Sequence, residues 1–208
     1  ITRFGHWKDT AIMLKGDAVQ SFTMLFLEMW AVNQMEPADC QNYLTPKHVV
    51  PDPPHGYVIP YGDHPYDNEN VGEEVYFHIL NHSKKYVHIM TPYLILDSEM
   101  ITALTRAAKS GIEVIIIMPH IPDKWYAFVL AHTYYKELIQ AGVSIYEYTP
   151  GFVHAKVFVS DDDTATVGTI NLDYRSLYLH FECGAYIYDH PVVADIEQDF
   201  QETLKKCQ

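Results

Sequence analysis

Apolar and polar residues recur along the chain with two periods, and these periods mark out strands and helices. Alternating or continuous apolar runs predict strands, whereas apolar residues three and four positions apart predict helices. The predicted strands span residues 10–14, 86–90, 113–118, 143–148, 153–159, 165–168 and 181–188. The predicted helices span residues 73–81, 98–109, 125–140 and 192–205, and an early helix carries an apolar face made of Phe22, Leu25, Phe26, Met29 and Trp30. For that face, packing against the core is favoured over a cofactor pocket.

The order of these elements predicts the fold class. Strands that alternate with helices of roughly 10–15 residues are typical of a layered α/β domain, with helices on both faces of a mixed sheet. Residues 113–118 are almost continuously apolar, as expected for a strand buried on both faces. We therefore predict an α/β architecture built on a mostly buried sheet.

The regular pattern stops between residues 35 and 70. Prolines punctuate this stretch at positions 37, 46, 51, 53, 54, 60 and 65. Long segments of this kind are functional loops or linkers, so we interpret it as an irregular connection. We place a domain boundary near residue 55, with residues 1–54 forming the tail of a preceding domain plus the connection, and residues 55–208 forming a second domain.

Composition narrows the function classes. The 208 residues include 14 Lys and Arg against 27 Asp and Glu, which gives a formal net charge of −13. This balance argues against a general nucleic-acid binder, which would present a basic surface, but it allows an anionic substrate held by a few local cations. Apolar stretches fall far short of the ~18–20 residues of a membrane span, so we expect this piece itself to be soluble.

Neither the cysteines nor the histidines indicate a metal site. Cys40, Cys183 and Cys207 are an odd number at wide spacing, which fits neither a disulfide framework nor a zinc site. His78 and His82 lie four apart on a predicted helix and could face a common ion. Since no third ligand follows at a useful spacing, we expect no metal and no other cofactor.

The residues with the most chemistry lie between positions 154 and 182. In a strand, side chains two apart share a face, so His154 and Lys156 would point the same way. Gly168 ends the next predicted strand, where a missing side chain lets a ligand approach closely. Thr169 and Asn171 come after it and share a face by the same period. An ammonium, a hydroxyl, an amide and an imidazole together suit a phosphate group, with the imidazole able to act as nucleophile or acid/base.

The spacing of these residues, H-x-K-x4-D-x6-G-T-x-N, resembles the HKD motif of the phospholipase D superfamily. Residues 171–176 and 181–182 resemble, more narrowly, the second HKD motif of bacterial cardiolipin synthases. Residues 91–97 resemble a strand-end segment of that family, and residues 7–10 and 16–19 resemble the stretch after its first motif. The resemblance covers nearly the whole chain and is strongest from about residue 85 to 190.

The resemblance implies a mechanism and assigns roles to residues. Members of the superfamily cleave phosphodiesters through a covalent phosphohistidine without a metal, one motif's histidine attacking phosphorus and the other's protonating the leaving oxygen. His154 would take the acid/base role. The phosphoryl oxygens would be held by Lys156, Thr169 and Asn171. Glu182 matches the acidic residue that hydrogen-bonds a catalytic histidine and fixes its tautomer.

Other motif residues are expected to play lesser parts. Asp161 and Gly168 belong to the motif but are predicted to be structural, Asp161 in a turn or salt bridge. Arg175 could lie near a lipid phosphate or pair with Asp173, and these alternatives stay open. Ser176 is a further possible site residue. The family usually shows Asn two residues before the glutamate, and this chain has His180 there.

The complete motif occurs once, whereas a synthase carries it twice. The resemblance therefore implies a C-terminal portion that supplies half of an active site, completed by the first HKD half of the same enzyme or by a second copy of the chain.

The implied function is a phosphatidyltransferase that moves a phosphatidyl group between phosphatidylglycerol molecules, releasing cardiolipin and glycerol at the bacterial cell membrane. Alternatives are a homodimeric phosphodiesterase or nuclease, and a non-catalytic module that binds anionic lipid. No nucleic-acid partner is expected. Tyr57, Val58, Ile59 and Tyr61 are candidates for admitting acyl chains.

Overall fold

The computed structural model describes residues 3–32, 34, 41–44 and 56–208. The predicted domain boundary near residue 55, most of the proline-rich connection and Cys40 lie outside these residues. The helices are α1 (Ala18–Val32), α2 (Val71–His82), α3 (Ser98–Lys109), α4 (Trp125–Ala141), α5 (Tyr174–Leu179) and α6 (Val192–Leu204). The strands are β1 (His6–Lys8), β2 (Tyr57–Asp63), β3 (Tyr86–Met90), β4 (Leu94–Ile95), β5 (Glu113–Pro119), β6 (Ser144–Tyr148), β7 (Gly151–Val153), β8 (Val157–Ser160), β9 (Thr164–Gly168), β10 (Leu172–Asp173) and β11 (Glu182–Tyr188).

Seven strands form one mixed sheet in the order β2-β11-β9-β8-β3-β5-β6. The pairs β3–β5 and β5–β6 are parallel, and every other pair in this sheet is antiparallel. Two short parallel ladders, β1–β7 and β4–β10, lie outside it. The predicted mixed α/β architecture is therefore confirmed.

Helices cover both faces of the sheet, as predicted. Helices α2, α3 and α4 bury one face in a core that includes Tyr76, Leu104, Ile116, Leu138 and Phe158. Helix α6 covers the other face in a second core that includes Val157, Val159, Val193, Ile196 and Phe200. Each fully buried aliphatic or aromatic side chain of this kind contributes about 1.5–3 kcal/mol. In the described part of the chain, no helix is long and apolar enough to cross a bilayer.

Two predictions for the N-terminal segment are wrong. Residues 10–14 form no strand, although their exposure alternates, because they pair with no strand in the described structure. Helix α1 forms where its periodicity predicts, but none of its residues is buried. Its apolar face therefore does not pack into the core, and it remains largely exposed beside β2.

Two further predictions need correction around the sheet. The strand predicted over residues 153–159 is divided into β7 and β8, because β7 pairs with β1 whereas β8 pairs with β3 and β9. Residues 154–156 form the break between them. The stretch predicted as an irregular connection contains β2, whose Pro60 is tolerated because β2 is an edge strand of the sheet.

Candidate active site

The motif residues other than Asp161 meet at one end of the sheet because neighbouring strands run in opposite directions. The segment 154–156 precedes β8, Thr169 comes directly after β9, and Glu182 begins β11. Gly168 lies opposite Gly184 in the β9–β11 ladder, and its N–H donates to the Lys156 carbonyl at 3.3 Å. The predicted grouping of these residues is therefore seen at the start of β8, the end of β9 and the start of β11.

His154 occupies the break between β7 and β8. Its N–H donates to the Lys8 carbonyl at 2.7 Å, continuing the β1–β7 ladder by one step. Its ring Nδ1 lies 2.8 Å from Asp9 Oδ2, and its side chain remains 39% exposed. The Trp7 ring packs beside it with ring centroids 5.1 Å apart. A carboxylate on Nδ1 leaves Nε2 as the ring atom available to a reacting group.

The segment that carries Asp9 is tied to α6. Lys8 Nζ lies 2.7 Å from Asp199 Oδ2 on that helix, and the Thr10 hydroxyl donates to the same oxygen at 2.7 Å. These contacts fix the residues on both sides of Asp9. Asp9 was not among the predicted site residues, and the one signal that pointed to it was the likeness of residues 7–10 to the family pattern.

Lys156 is buried at the centre of the site, with 8% of its surface exposed. Burial lowers the pKa of its ammonium to about 8, against the opposing effect of the nearby carboxylates of Asp9, Glu182 and Asp173. Its Nζ donates to the His154 carbonyl at 2.5 Å. Lys156 is therefore a cation fixed against the backbone of His154, with nearby acidic groups that favour its charge.

Glu182 links two hydroxyl groups. The Thr169 hydroxyl donates to Glu182 Oε2 at 2.5 Å, and the Ser176 hydroxyl donates to Oε1 at 2.6 Å. Ser176 is 1% exposed, and its hydroxyl also accepts the Asn171 N–H at 2.9 Å. The predicted phosphate-binding residues Thr169 and Asn171 are thus joined through Glu182 and Ser176. The His154 ring is held by Asp9 and not by Glu182, so the histidine partner expected for Glu182 stays a prediction.

Arg175 and His180 form the outer edge of this network. Arg175 Nε lies 2.9 Å from His180 Nε2, and His180 Nδ1 lies 3.4 Å from Glu182 Oε1. Asp173 instead caps α5, accepting the Ser176 N–H at 3.4 Å, and its pKa is raised chiefly by burial. The contact that the structure gives Arg175 is therefore with His180, the position where this chain differs from the family pattern.

Asp161 lies at the far end of the β8–β9 hairpin from His154. Its carboxylate accepts the N–H groups of residues 84, 85 and 86, at 2.6, 2.9 and 3.0 Å. Burial raises the pKa of Asp161, but these hydrogen bonds outweigh it and lower the pKa below its usual value. Gly168 is closely packed, since a Cβ there would lie 2.4 Å from the Cys183 carbonyl oxygen. Structural roles for both residues stay predictions, and these contacts fit them.

His78 and His82 stack with ring centroids 4.1 Å apart on α2. The His82 Nδ1 is engaged with the His78 carbonyl at 2.8 Å. Within the residues that the structure describes, no group of three or more His, Cys, Asp or Glu side chains is arranged to hold a metal ion.

Comparison with known proteins identifies the family. The family model described as "Cardiolipin synthase, PLD-like domain" matches residues 76–204, which is more than half of the chain. The chain belongs to this family. The matched region carries every strand of the main sheet except β2, and every residue of the motif.

Individual relatives agree with this membership. An uncharacterized protein of Streptococcus mutans is 58% identical over 207 residues, covering 99% of this chain and 44% of that protein. Cardiolipin synthase 2 of Bacillus cereus is 38% identical over 203 residues, covering 98% of this chain and 39% of the synthase. The chain thus spans less than half the length of these relatives.

A solved structure shows the same fold. The phospholipase D family member Nuc from Salmonella typhimurium superposes with a TM-score of 0.59 at 18% identity, covering 72% of this chain and 97% of Nuc. At this identity the likeness concerns the fold alone. Nearly all of one Nuc chain therefore corresponds to the PLD-like part of this protein.

Proposed function

We propose that this chain supplies one half of the active site of a cardiolipin synthase-like phosphatidyltransferase. The observation that carries the proposal is the pairing of His154 with Asp9, next to the buried Lys156 whose ammonium donates to the His154 carbonyl. An oriented imidazole beside a fixed positive charge is suited to acid/base chemistry on a phosphodiester. The family membership and the synthase relatives supply the substrate class.

In the proposed reaction, a histidine of the other half attacks the phosphorus of one phosphatidylglycerol. The bond from phosphorus to the glycerol headgroup oxygen breaks, and His154 Nε2 gives that oxygen its proton, so glycerol leaves. His154 then removes the proton from a hydroxyl of a second phosphatidylglycerol, whose oxygen attacks the phosphohistidine. Cardiolipin forms, and both histidines return to their starting states.

The remaining residues would stabilise charge during these steps. The Lys156 ammonium and the Thr169 hydroxyl would contact the phosphoryl oxygens, and the side-chain amide of Asn171 would add a donor. Asp9 would hold the His154 ring and stabilise its protonated form, the role that a carboxylate plays in catalytic triads. Glu182 and Ser176 would position Thr169 and Asn171, since they bond to these residues directly.

The second histidine would come from outside this set of residues. In this chain the full motif occurs once, at His154, and the N-terminal segment resembles the stretch that comes after a first motif. We propose that the other half is the first HKD portion of the same enzyme, with a second copy of this chain as the alternative. In either arrangement the phospholipid is presented at a membrane surface.

The test is hydrolysis of a soluble chromogenic phosphodiester in the presence of EDTA, measured at several concentrations of the chain alone and with the first HKD half added. His120→Ala is the matched control for His154→Ala, because His120 is 42% exposed and also has Nδ1 2.8 Å from a carboxylate oxygen. Activity that rises more steeply than linearly supports a site shared by two copies. Activity only on adding the first half supports the composite enzyme. Activity that survives His154→Ala contradicts the proposal.

A further inference from the structure

A cavity of about 520 Å³ opens directly beside the phosphate-binding residues. One wall is the apolar face of α1, and the other is formed by residues at the end of β2 and the start of β11. Thr169 and Glu182 are among its lining residues. A volume of this size is in the range of small-molecule sites, about 300–1,000 Å³. The cavity is therefore large enough for a ligand and continuous with the candidate active site.

The wall made by α1 is apolar over three turns. Phe22, Leu25, Phe26, Met29 and Val32 line it, and Glu28 is the one charged lining residue that α1 contributes. None of the residues of α1 is buried, and Phe26 and Met29 are 56% and 44% exposed. Exposed apolar surface concentrated in one patch marks a place where another apolar group binds.

The opposite wall is built so that α1 can approach without closing the cavity. Leu25 packs onto β2 at Gly62, where a Cβ would lie 2.6 Å from Leu25 Cδ2. The aromatic rings of Tyr66 and Phe181 pack edge to face at 5.5 Å and form the apolar part of this wall. The cavity is thus lined by hydrocarbon from both sides, with Asp63, His64, Thr169 and Glu182 as its polar lining residues on the sheet side.

The length of the apolar wall fits one acyl chain. Residues 22 to 32 of α1 extend over ~15 Å at 1.5 Å per residue. The hydrocarbon core of a bilayer is ~30 Å thick. One leaflet is half of this, so an acyl chain within it is about as long as the α1 wall. A phosphate bound at Thr169 would place the attached glycerol and the start of the acyl chain in the cavity, next to the apolar wall of α1.

We propose that the cavity between α1 and the β2–β11 pair binds one acyl chain of the phospholipid whose phosphate lies at Thr169. This inference rests on the proposed function for the phosphate site and adds where the lipid tail lies. It replaces the acyl-chain candidates of β2, since Tyr57 and Ile59 border a different groove at the Asp161 end of the sheet. The Tyr61 hydroxyl is engaged with Thr166 Oγ1 at 2.8 Å.

A matched pair of variants tests the proposal. Met29→Trp fills the cavity, whereas Met24→Trp makes the same change on the same helix outside it, at similar exposure. In the enzyme completed by its other half, we expect Met29→Trp to lower kcat/KM for long-chain phosphatidylglycerol by about tenfold or more, since several buried methylenes lose contact. Hydrolysis of the soluble phosphodiester should be unchanged, and Met24→Trp should resemble wild type. Equal effects of the two variants on long-chain substrate would overturn the proposal.

A second measurement does not depend on turnover. Phosphatidylglycerol with a photoreactive diazirine near the end of one acyl chain is irradiated with the 208-residue chain, and the adducts are mapped by mass spectrometry. We expect labelling within residues 22–32, reduced by Met29→Trp and retained in His154→Ala. Labelling confined to other surfaces overturns the acyl-chain site. Labelling of α1 in the wild-type chain, together with no cardiolipin formation by the wild-type enzyme completed with its other half, supports the cavity and contradicts the transferase function, so the two failures are distinguishable.

Discussion

Asp9 and His154 are 145 positions apart in the sequence, yet Asp9 Oδ2 lies 2.8 Å from His154 Nδ1. The contact depends on the parallel β1–β7 ladder, which places Lys8 opposite Val153 and so brings the next residue of each strand together. The flanking Lys8 and Thr10 are held by Asp199. A short N-terminal segment therefore supplies the group that orients the motif histidine.

Replacing Asp9 with Asn tests this relationship. The amide removes the charge that stabilises a protonated imidazole and allows the wrong ring tautomer, so we expect kcat/KM to fall about 10²–10⁴-fold. Because the Asp9 side chain is 53% exposed, the free energy of unfolding should change by less than about 0.5 kcal/mol. The control is Asp67→Asn, the same change in the exposed His64–Asp67 pair. Equal activities of the two variants would show that Asp9 does not act through His154.

The pH dependence of activity should report Lys156. Burial lowers its pKa to about 8, so raising the pH through that value removes the positive charge that would stabilise the phosphoryl oxygens. We expect kcat/KM, which reports the free enzyme, to fall above pH about 8. The arginine of Lys156→Arg keeps its charge at all these pH values. The plot of kcat/KM against pH for this variant should therefore show no fall near pH about 8, even if its highest kcat/KM is below that of the wild type. A limb at the same pH in both proteins would assign it to another group.

Ser176 should contribute to both stability and activity, although the sequence marks it only as a possible site residue. Its buried hydroxyl accepts from Asn171 and donates to Glu182, so Ser176→Ala leaves the partly buried Asn171 N–H and a Glu182 oxygen without this partner. We expect a loss of about 1–3 kcal/mol in the free energy of unfolding, measured with urea, and a lower kcat. Ser83→Ala is the control, since that hydroxyl bonds to a helix carbonyl away from the site. Unchanged stability and activity would show that the Ser176 hydroxyl does not support the hydrogen-bond network around Glu182.

The buried carboxyl of Glu73 should make stability depend on pH. Burial is the main cause that raises its pKa to about 7, and Asp97 and Tyr178 are its close neighbours. A raised pKa means that the folded state holds the proton more tightly, so stability is full below pH about 4.5 and is lost as the pH rises through about 7. Glu73→Gln should remove this slope and be more stable by about 1–3 kcal/mol at pH 8 than the wild type. A parallel shift of both stability curves would contradict this assignment.

Most helices and strands could be predicted from local patterns because they bury one face at a regular period. Helix α3 and strand β3 match their predicted bounds, since α3 begins at a capping Asp97 and β3 is apolar apart from His88 at its centre. The periodicity locates helix α1 correctly but predicts that its apolar face packs against the core, whereas none of its residues is buried. Periodicity shows that α1 has an apolar face, and it does not show whether protein or a ligand covers that face.

The site was predictable where chemistry and spacing lie close together in the sequence. His154, Lys156 and Thr169 meet because they flank the adjoining ends of the antiparallel strands β8 and β9, which local patterning can indicate. Asp9 and the division at residues 154–156 depend on a parallel pairing between distant segments. Nothing in the local sequence around His154 encodes that partner. The likeness of residues 7–10 to the family pattern points to the segment, and the three-dimensional arrangement reveals the contact.

The most direct test of the proposed function is the conversion of phosphatidylglycerol to cardiolipin and glycerol by the enzyme completed with its other half, assayed in EDTA. Wild-type protein and His120→Ala should both form cardiolipin, and each should release one glycerol for every cardiolipin formed. His154→Ala, with an unchanged unfolding curve, should form neither product above background. Cardiolipin synthesis that continues in His154→Ala would contradict the central claim that His154 carries the proton in this reaction.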